Sequence, residues 1–170
     1  MIAEIDVREL VGQPGASKQH RLEALVEELG TELARVREDV PVAGDLLLES
    51  LVEGVLVSGV LRGTFSMRCA RCLKEYEQPF SVEVHELFVT EPDEEADDYP
   101  LGPEGSIEPE QMLRDAIGVE LPFSPLCRPD CRGLCPVCGG DRNLDECPGH
   151  VETDPRWEAL DRLAPMFDEN

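Results

Sequence analysis

The chain has 170 residues, with 15 Lys and Arg against 37 Asp and Glu, a formal net charge of −22. At this length one domain with a small appendage is expected, and 14 Gly with 14 Pro exclude a long helical bundle, because both residue types interrupt regular backbone. No apolar run approaches the roughly 20 residues that cross a bilayer, and Met1-Ile2-Ala3-Glu4-Ile5-Asp6 lacks the basic and apolar stretches of a secretory signal, so a cytoplasmic protein with no membrane partner is expected.

Leu22, Leu25, Val26, Leu29, Leu33 and Val36 have helical spacing, interrupted at Gly30. This predicts a short helix from about Glu23 to Leu29, stopped by Gly30 and followed by an extended segment. Val40-Pro41-Val42-Ala43-Gly44-Asp45 reads as a turn, and beyond it the period changes to two. Leu46, Leu48, Ser50 and Val52 alternate with their neighbours, then Val55 to Met67, then Phe80 to about Thr90, which predicts three strands in an antiparallel meander. Gly59 and Gly63 fall on one face of the second strand, where a bulge or bend would let the sheet curl.

Ser106-Ile107-Glu108-Pro109-Glu110 has the form of a helix start with Ser106 as N-cap, and Ile107, Met112, Leu113, Ala116 and Ile117 would give that helix an apolar face to lay on the sheet. Leu121-Pro122-Phe123-Ser124-Pro125-Leu126 is an extended lead, since each proline removes a backbone donor and restricts the residue before it. Thr153-Asp154-Pro155 starts a short amphipathic helix bearing Trp157, Leu160 and Leu163. The expected class is α+β: an antiparallel curled sheet or partial barrel with a covering helix over 1–125, including an acidic loop at 91–105. A Cys-rich zinc-knuckle module over 126–152 and a C-terminal helix or tail over 153–170 complete it.

Seven cysteines in a reducing compartment point to metal chemistry before disulfides. Cys135-Pro136-Val137-Cys138-Gly139-Gly140 and Cys147-Pro148-Gly149-His150 supply a complete sulfur and imidazole set for tetrahedral Zn²⁺. A Cys-x-x-Cys turn aims two thiolates at one ion, and glycine after the second Cys lets backbone N–H groups reach the sulfur. Cys69-Ala70-Arg71-Cys72 is a second such turn, and with Cys127 and Cys131 it makes another set of four. The alternative is a single site from Cys127, Cys131, Cys135 and Cys138. Either arrangement is a closed structural site. His20 and His85 stand apart from these groups and read as structural or surface residues.

The charge is uneven. Arg62, Arg68, Arg71 and Lys74 form a basic stretch with no acid between them, whereas Glu75 to Leu113 carries thirteen carboxylates and no Lys or Arg. The acidic part would attract a cationic partner, and the basic stretch offers phosphate contacts. No Gly-rich phosphate loop, nucleophile elbow or marked acid–base pair is present, so neither an enzyme nor a small-molecule substrate is indicated.

Taken together, the strand Gly54-Val55-Leu56-Val57-Ser58-Gly59, the Cys69-Ala70-Arg71-Cys72-Leu73 turn, Val84-His85-Glu86-Leu87-Phe88, the Leu121 to Cys127 lead, Cys131-Arg132-Gly133-Leu134-Cys135-Pro136-Val137-Cys138-Gly139 and Cys147 resemble the YceD family, described as large ribosomal RNA subunit accumulation proteins. The resemblance covers roughly residues 45–150. It implies a non-enzymatic bacterial factor that supports normal levels of 23S-type ribosomal RNA. The partner expected from that role and from the acidic surface is a basic ribosomal protein or a large-subunit assembly intermediate. Direct ribosomal RNA binding through Arg62, Arg68, Arg71 and Lys74 is the alternative.

Overall fold

The computed structural model describes residues 2–92, 98–144, 147, 149 and 150; the acidic run at 93–97 and the expected C-terminal helix lie outside the described residues. Period-two segments dominate it. In chain order they are β1 (Ile5–Asp6), β2 (Ser17–Ala24), β3 (Ala34–Val36), β4 (Val42–Ser50), β5 (Gly54–Arg68), β6 (Glu75–Val89), β7 (Tyr99–Pro100) and β8 (Ser106–Ile107), followed by the helix α1 (Glu110–Glu120). The main sheet runs β2-β4-β5-β6-β7, with β3 also paired to β5. Strands β4, β5 and β6 form the expected antiparallel meander, β7 adds parallel to β6, and β1 with β8 makes a separate ribbon.

The helix expected at 23–29 is not formed. Leu22, Ala24 and Val26 are buried at every second position while Leu25 is 51% exposed, so the burial period is two. Leu22 and Val26 satisfy both periods, and eight paired positions between β2 and β4 decide for the strand, since a one- or two-turn helix gains too few hydrogen bonds to compete. Gly30 serves a turn instead, where a Cβ would come 2.4 Å from the Cα of Arg35. The extended segment after it is β3. Strand β4 starts at Val42, inside the expected turn.

The sheet does not curl into a partial barrel. The β5–β6 ladder keeps one register from Gly54 opposite Val89 to Arg68 opposite Glu75, so there is no bulge at Gly59 or Gly63, and the sheet stays open with β2 and β7 as its outer strands. Gly63 faces Phe80, and a Cβ there would meet the Phe80 ring at 2.6 Å. The glycine makes room for that ring to stack on Phe65, with centroids 4.1 Å apart.

One face of the sheet is the core. Val42, Leu46 and Leu48 of β4, Val55, Val57 and Leu61 of β5, and Val82, Val84 and Phe88 of β6 are buried on it, each in the alternation a pleated strand imposes. Helix α1 packs against β6 and buries Met112, Leu113 and Ile117. It starts later than expected: Ser106 and Ile107 belong to β8, and Pro109 takes the cap position without a side-chain bond. Ile107 is thus buried from the ribbon and not from the helix. Among the described residues no helix is long and apolar enough to cross a membrane.

Candidate metal centres and an acidic groove

Residues 69–74 form the turn between β5 and β6, and hydrogen bonds fix its shape. The Cys69 N–H donates to the Lys74 carbonyl at 2.9 Å, and the Leu73 N–H donates to the Cys69 carbonyl at 2.9 Å. Leu73 takes a left-handed backbone, φ 60°, to close it. The Ala70 N–H donates to the Pro125 carbonyl at 2.8 Å, which lays the proline-rich lead beside the turn and delivers Cys127. Cys131 follows on a turn held by its N–H to the Arg128 carbonyl, 3.2 Å.

The result is a group of four: Cys69, Cys72, Cys127 and Cys131, with all ligand atoms within 4.8 Å of one another. The Cys69 and Cys131 sulfurs are 3.8 Å apart, and those of Cys72 and Cys127 are 3.7 Å apart. A tetrahedral ion with Zn–S bonds of about 2.3 Å requires sulfur separations of about 3.8 Å. The set therefore fits a closed four-thiolate zinc site.

Electrostatics agree with a cationic occupant. Burial pushes the Cys69 thiol up, but the backbone N–H groups of Cys127, Cys72 and Arg71 directed at its sulfur win and bring it down to about 6. Burial and the neighbouring sulfurs push Cys127 up to about 12. For Cys72 the Lys74 N–H favours the thiolate, yet burial with Cys69 and Cys131 outweighs it and the thiol rises. Four thiolates in this volume repel one another, and a dication at their centre removes that penalty.

The second group is Cys135, Cys138, Cys147 and His150, again with all ligand atoms within 4.8 Å. Here the Gly139 N–H donates to the Cys135 carbonyl at 2.8 Å and the Cys135 N–H to the Gly140 carbonyl at 2.9 Å, with Gly139 at φ 72°. The N–H groups of Cys138 and Val137 lower the Cys135 thiol to about 7. The donor set is three thiols and an imidazole, with no carboxylate in it among the described residues. The alternative quartet of Cys127, Cys131, Cys135 and Cys138 is not assembled, because Cys127 and Cys131 lie with Cys69 and Cys72.

The pattern of the large ribosomal RNA subunit accumulation protein YceD matches residues 57–164, a span that includes both groups. An uncharacterized protein of Mycobacterium tuberculosis is 37% identical over 171 residues, 96% of this chain and 83% of its own length, and one of Mycobacterium leprae is 36% identical over 168 residues, 94% and 77%. The chain belongs to the YceD family. No solved structure matches it.

In this YceD-family chain the basic stretch is divided among separate tasks. Arg62 and Arg68 share the exposed face of β5 but lie six residues apart, roughly 20 Å along a strand, and Arg68 pairs with Glu75 at 3.3 Å. On the neighbouring β3–β6 surface Arg37 bonds Asp39 and, at 2.7 Å, Glu77. Arg71 donates to the Cys131 carbonyl at 2.8 Å, and the Lys74 carbonyl closes the first cysteine turn. His20, half-buried on β2 with its imidazole pushed down by burial, and His85, exposed on β6, belong to neither cysteine group.

One residue that matters here carried no motif. Asn143 Nδ2 lies 3.6 Å from the Cys131 sulfur, while its Oδ1 accepts from the Arg132 N–H and from Arg128, each at 2.8 Å. Its position between the short-spaced ligand pairs is the only signal the sequence offers.

At the far end of the β5–β6 hairpin, β7 and the start of α1 border a groove of about 1030 Å³. Phe88, Tyr99 and Leu101 line its apolar part, and Asp98, Glu108, Glu110 and Asp115 ring it. Arg114 is the one cation lining it among the described residues, and it is engaged by Glu110 and by the Glu27 carbonyl.

Proposed function

We propose that this protein is a non-enzymatic, cytoplasmic factor of large-subunit ribosome assembly that sustains 23S-type ribosomal RNA by binding a basic ribosomal protein or an assembly intermediate. Membership of the YceD family supplies the link to large-subunit RNA accumulation. The observation that carries the partner assignment is the groove ringed by carboxylates, in a chain of net charge −22. A cationic segment approaching it is attracted from a distance and can place an apolar side chain on Phe88 and Tyr99.

In the same reading each cysteine group holds a structural Zn²⁺. Cys69, Cys72, Cys127 and Cys131 hold one, and Cys135, Cys138, Cys147 and His150 the other. The ions supply folding free energy to a tail with little apolar material of its own.

The test is affinity purification of the tagged protein from its native cells at low salt, with and without ribonuclease, alongside the Glu108→Lys/Glu110→Lys variant. A basic ribosomal protein that survives ribonuclease and is lost in the variant is the expected result. Recovery of ribosomal RNA alone, with every protein lost on ribonuclease treatment, would overturn the reading in favour of Arg62, Arg68, Arg71 and Lys74 as an RNA contact.

A further inference from the structure

The two cysteine groups are tied together by contacts that neither needs for its own ligands. Arg71 sits inside the first turn, between Cys69 and Cys72. Its guanidinium donates to the carbonyl of Cys131 at 2.8 Å, and its backbone carbonyl accepts the N–H of Leu134 at 3.0 Å. Leu134 immediately precedes Cys135, a ligand of the second group. Gly133, at φ 72°, lies so close that a Cβ would be 2.9 Å from the Arg71 carbonyl oxygen.

A second set of contacts runs in the opposite direction. Leu134 bridges to Asp141, and the Arg142 N–H donates to the Gly133 carbonyl at 3.0 Å. Asp141 then holds Asn143 through both its backbone N–H, 2.8 Å, and its Nδ2, 2.7 Å. The remaining Nδ2 hydrogen is available to the Cys131 sulfur at 3.6 Å. A residue of the second lobe thus supports a ligand of the first, and a residue of the first turn anchors the strand that presents a ligand of the second.

We propose that the two metal centres are one cooperative unit, coupled through Arg71 and Asn143, so that filling either raises the affinity of the other. This rests on the metal reading given above. With the first centre empty, the 69–72 turn is held to the 125–131 segment only by the Arg71 and Ala70 hydrogen bonds among the described contacts, and the acceptor of Leu134 is less firmly placed. The second group must then close from 135 to 150 without its anchor. Linkage requires the same factor in both directions.

Order of filling follows from the scaffolds. Cys69 and Cys72 sit on the turn of the β5–β6 hairpin, with Cys69 and Cys131 buried, whereas all four ligands of the second group lie on the tail and Cys138 and His150 are exposed. The four-thiolate centre fills first and empties last.

The test is titration of the metal-free full chain with Co²⁺ and with Zn²⁺, since the absorption bands of Co²⁺ distinguish a four-thiolate from a three-thiolate, one-imidazole set. The same titrations are made on Cys69→Ala/Cys72→Ala, on Cys135→Ala/Cys138→Ala, and on each with Asn143→Ala added. Loss of either ligand pair is expected to weaken the other centre about tenfold or more, the scale of lost outer-shell support, by one common factor. Adding Asn143→Ala, which removes the Nδ2 contact to the Cys131 sulfur, should shrink that factor toward one. Far-UV circular dichroism of the sheet checks that each variant is folded. Two centres of unchanged affinity in the ligand-pair variants would overturn the coupling while leaving the metal reading intact. A parent chain that takes up neither ion would overturn both.

Discussion

The two Cys-x-x-Cys turns are closed by the same two hydrogen bonds, from the first cysteine N–H and back to the first cysteine carbonyl, yet they stand on very different supports. The turn at 69–72 ends a hairpin of fifteen paired positions; the turn at 135–138 leans on a segment whose regular pairing, among the described residues, is the Leu134–Asp141 bridge. The backbone shows the difference in miniature. The left-handed closing position is Gly139 in the tail and Leu73 in the hairpin, where a branched side chain costs roughly 1–2 kcal/mol. A well-anchored turn tolerates that strain, and a weakly anchored one uses glycine.

The largest effect should come from Cys69→Ser/Cys72→Ser. With structural zinc in such modules worth on the order of 10 kcal/mol, this variant is expected to lose metal and to be cut by protease within 122–150, read by metal analysis and by mass spectrometry of the fragments. Cys135→Ser/Cys138→Ser should release the second ion and lower the melting of the sheet much less, because its ligands lie outside every strand; an equal loss of sheet stability in both variants would erase the distinction between the supports. Gly133→Ala strikes the joint between the two turns. Both its φ and the Arg71 carbonyl oppose a Cβ, so a cost of about 1–3 kcal/mol is expected, seen as earlier metal release during chelator titration. The smallest effects sharpen the comparison itself. Leu73→Gly should stabilise the holoprotein by up to about 1 kcal/mol, and Gly139→Ala should cost about as much, although nothing lies within 4 Å of a Cβ at that position. Thermal denaturation of the two variants with metal bound measures both signs.

The meander was readable because Leu46 to Ser50, Val55 to Met67 and Phe80 to Val84 alternate, although β6 begins at Glu75 and β4 at Val42, earlier than the pattern showed. Residues 22–29 misled because Leu22 and Val26 fit two periods, and the partner that chose between them, β4, lies some twenty residues on. The curl inferred from Gly59 and Gly63 failed for a related reason: a glycine in a strand can serve a neighbouring ring as well as a bulge, and Phe80 is brought opposite Gly63 only by the register.

The eight residues of the two cysteine groups were legible from spacing, since short-range Cys pairs are local features, whereas their division into the two groups came from the fold. Their outer support was not. Arg71 and Asn143 act across about 60 and 12 residues of sequence, and a run of basic residues conceals the acid, Glu75, that the facing strand sets beside Arg68.

The unbroken ladder of β5 and β6 also fixes a length. From the cysteine turn at 69–74 to the groove beside Phe88 the hairpin runs its full fifteen pairs, roughly 45–50 Å at the rise of an antiparallel strand. A protein–protein contact of ordinary size covers a patch only about 30 Å across. The sheet is thus a strut that holds its cysteine-rich end and its acidic end farther apart than one such contact can reach.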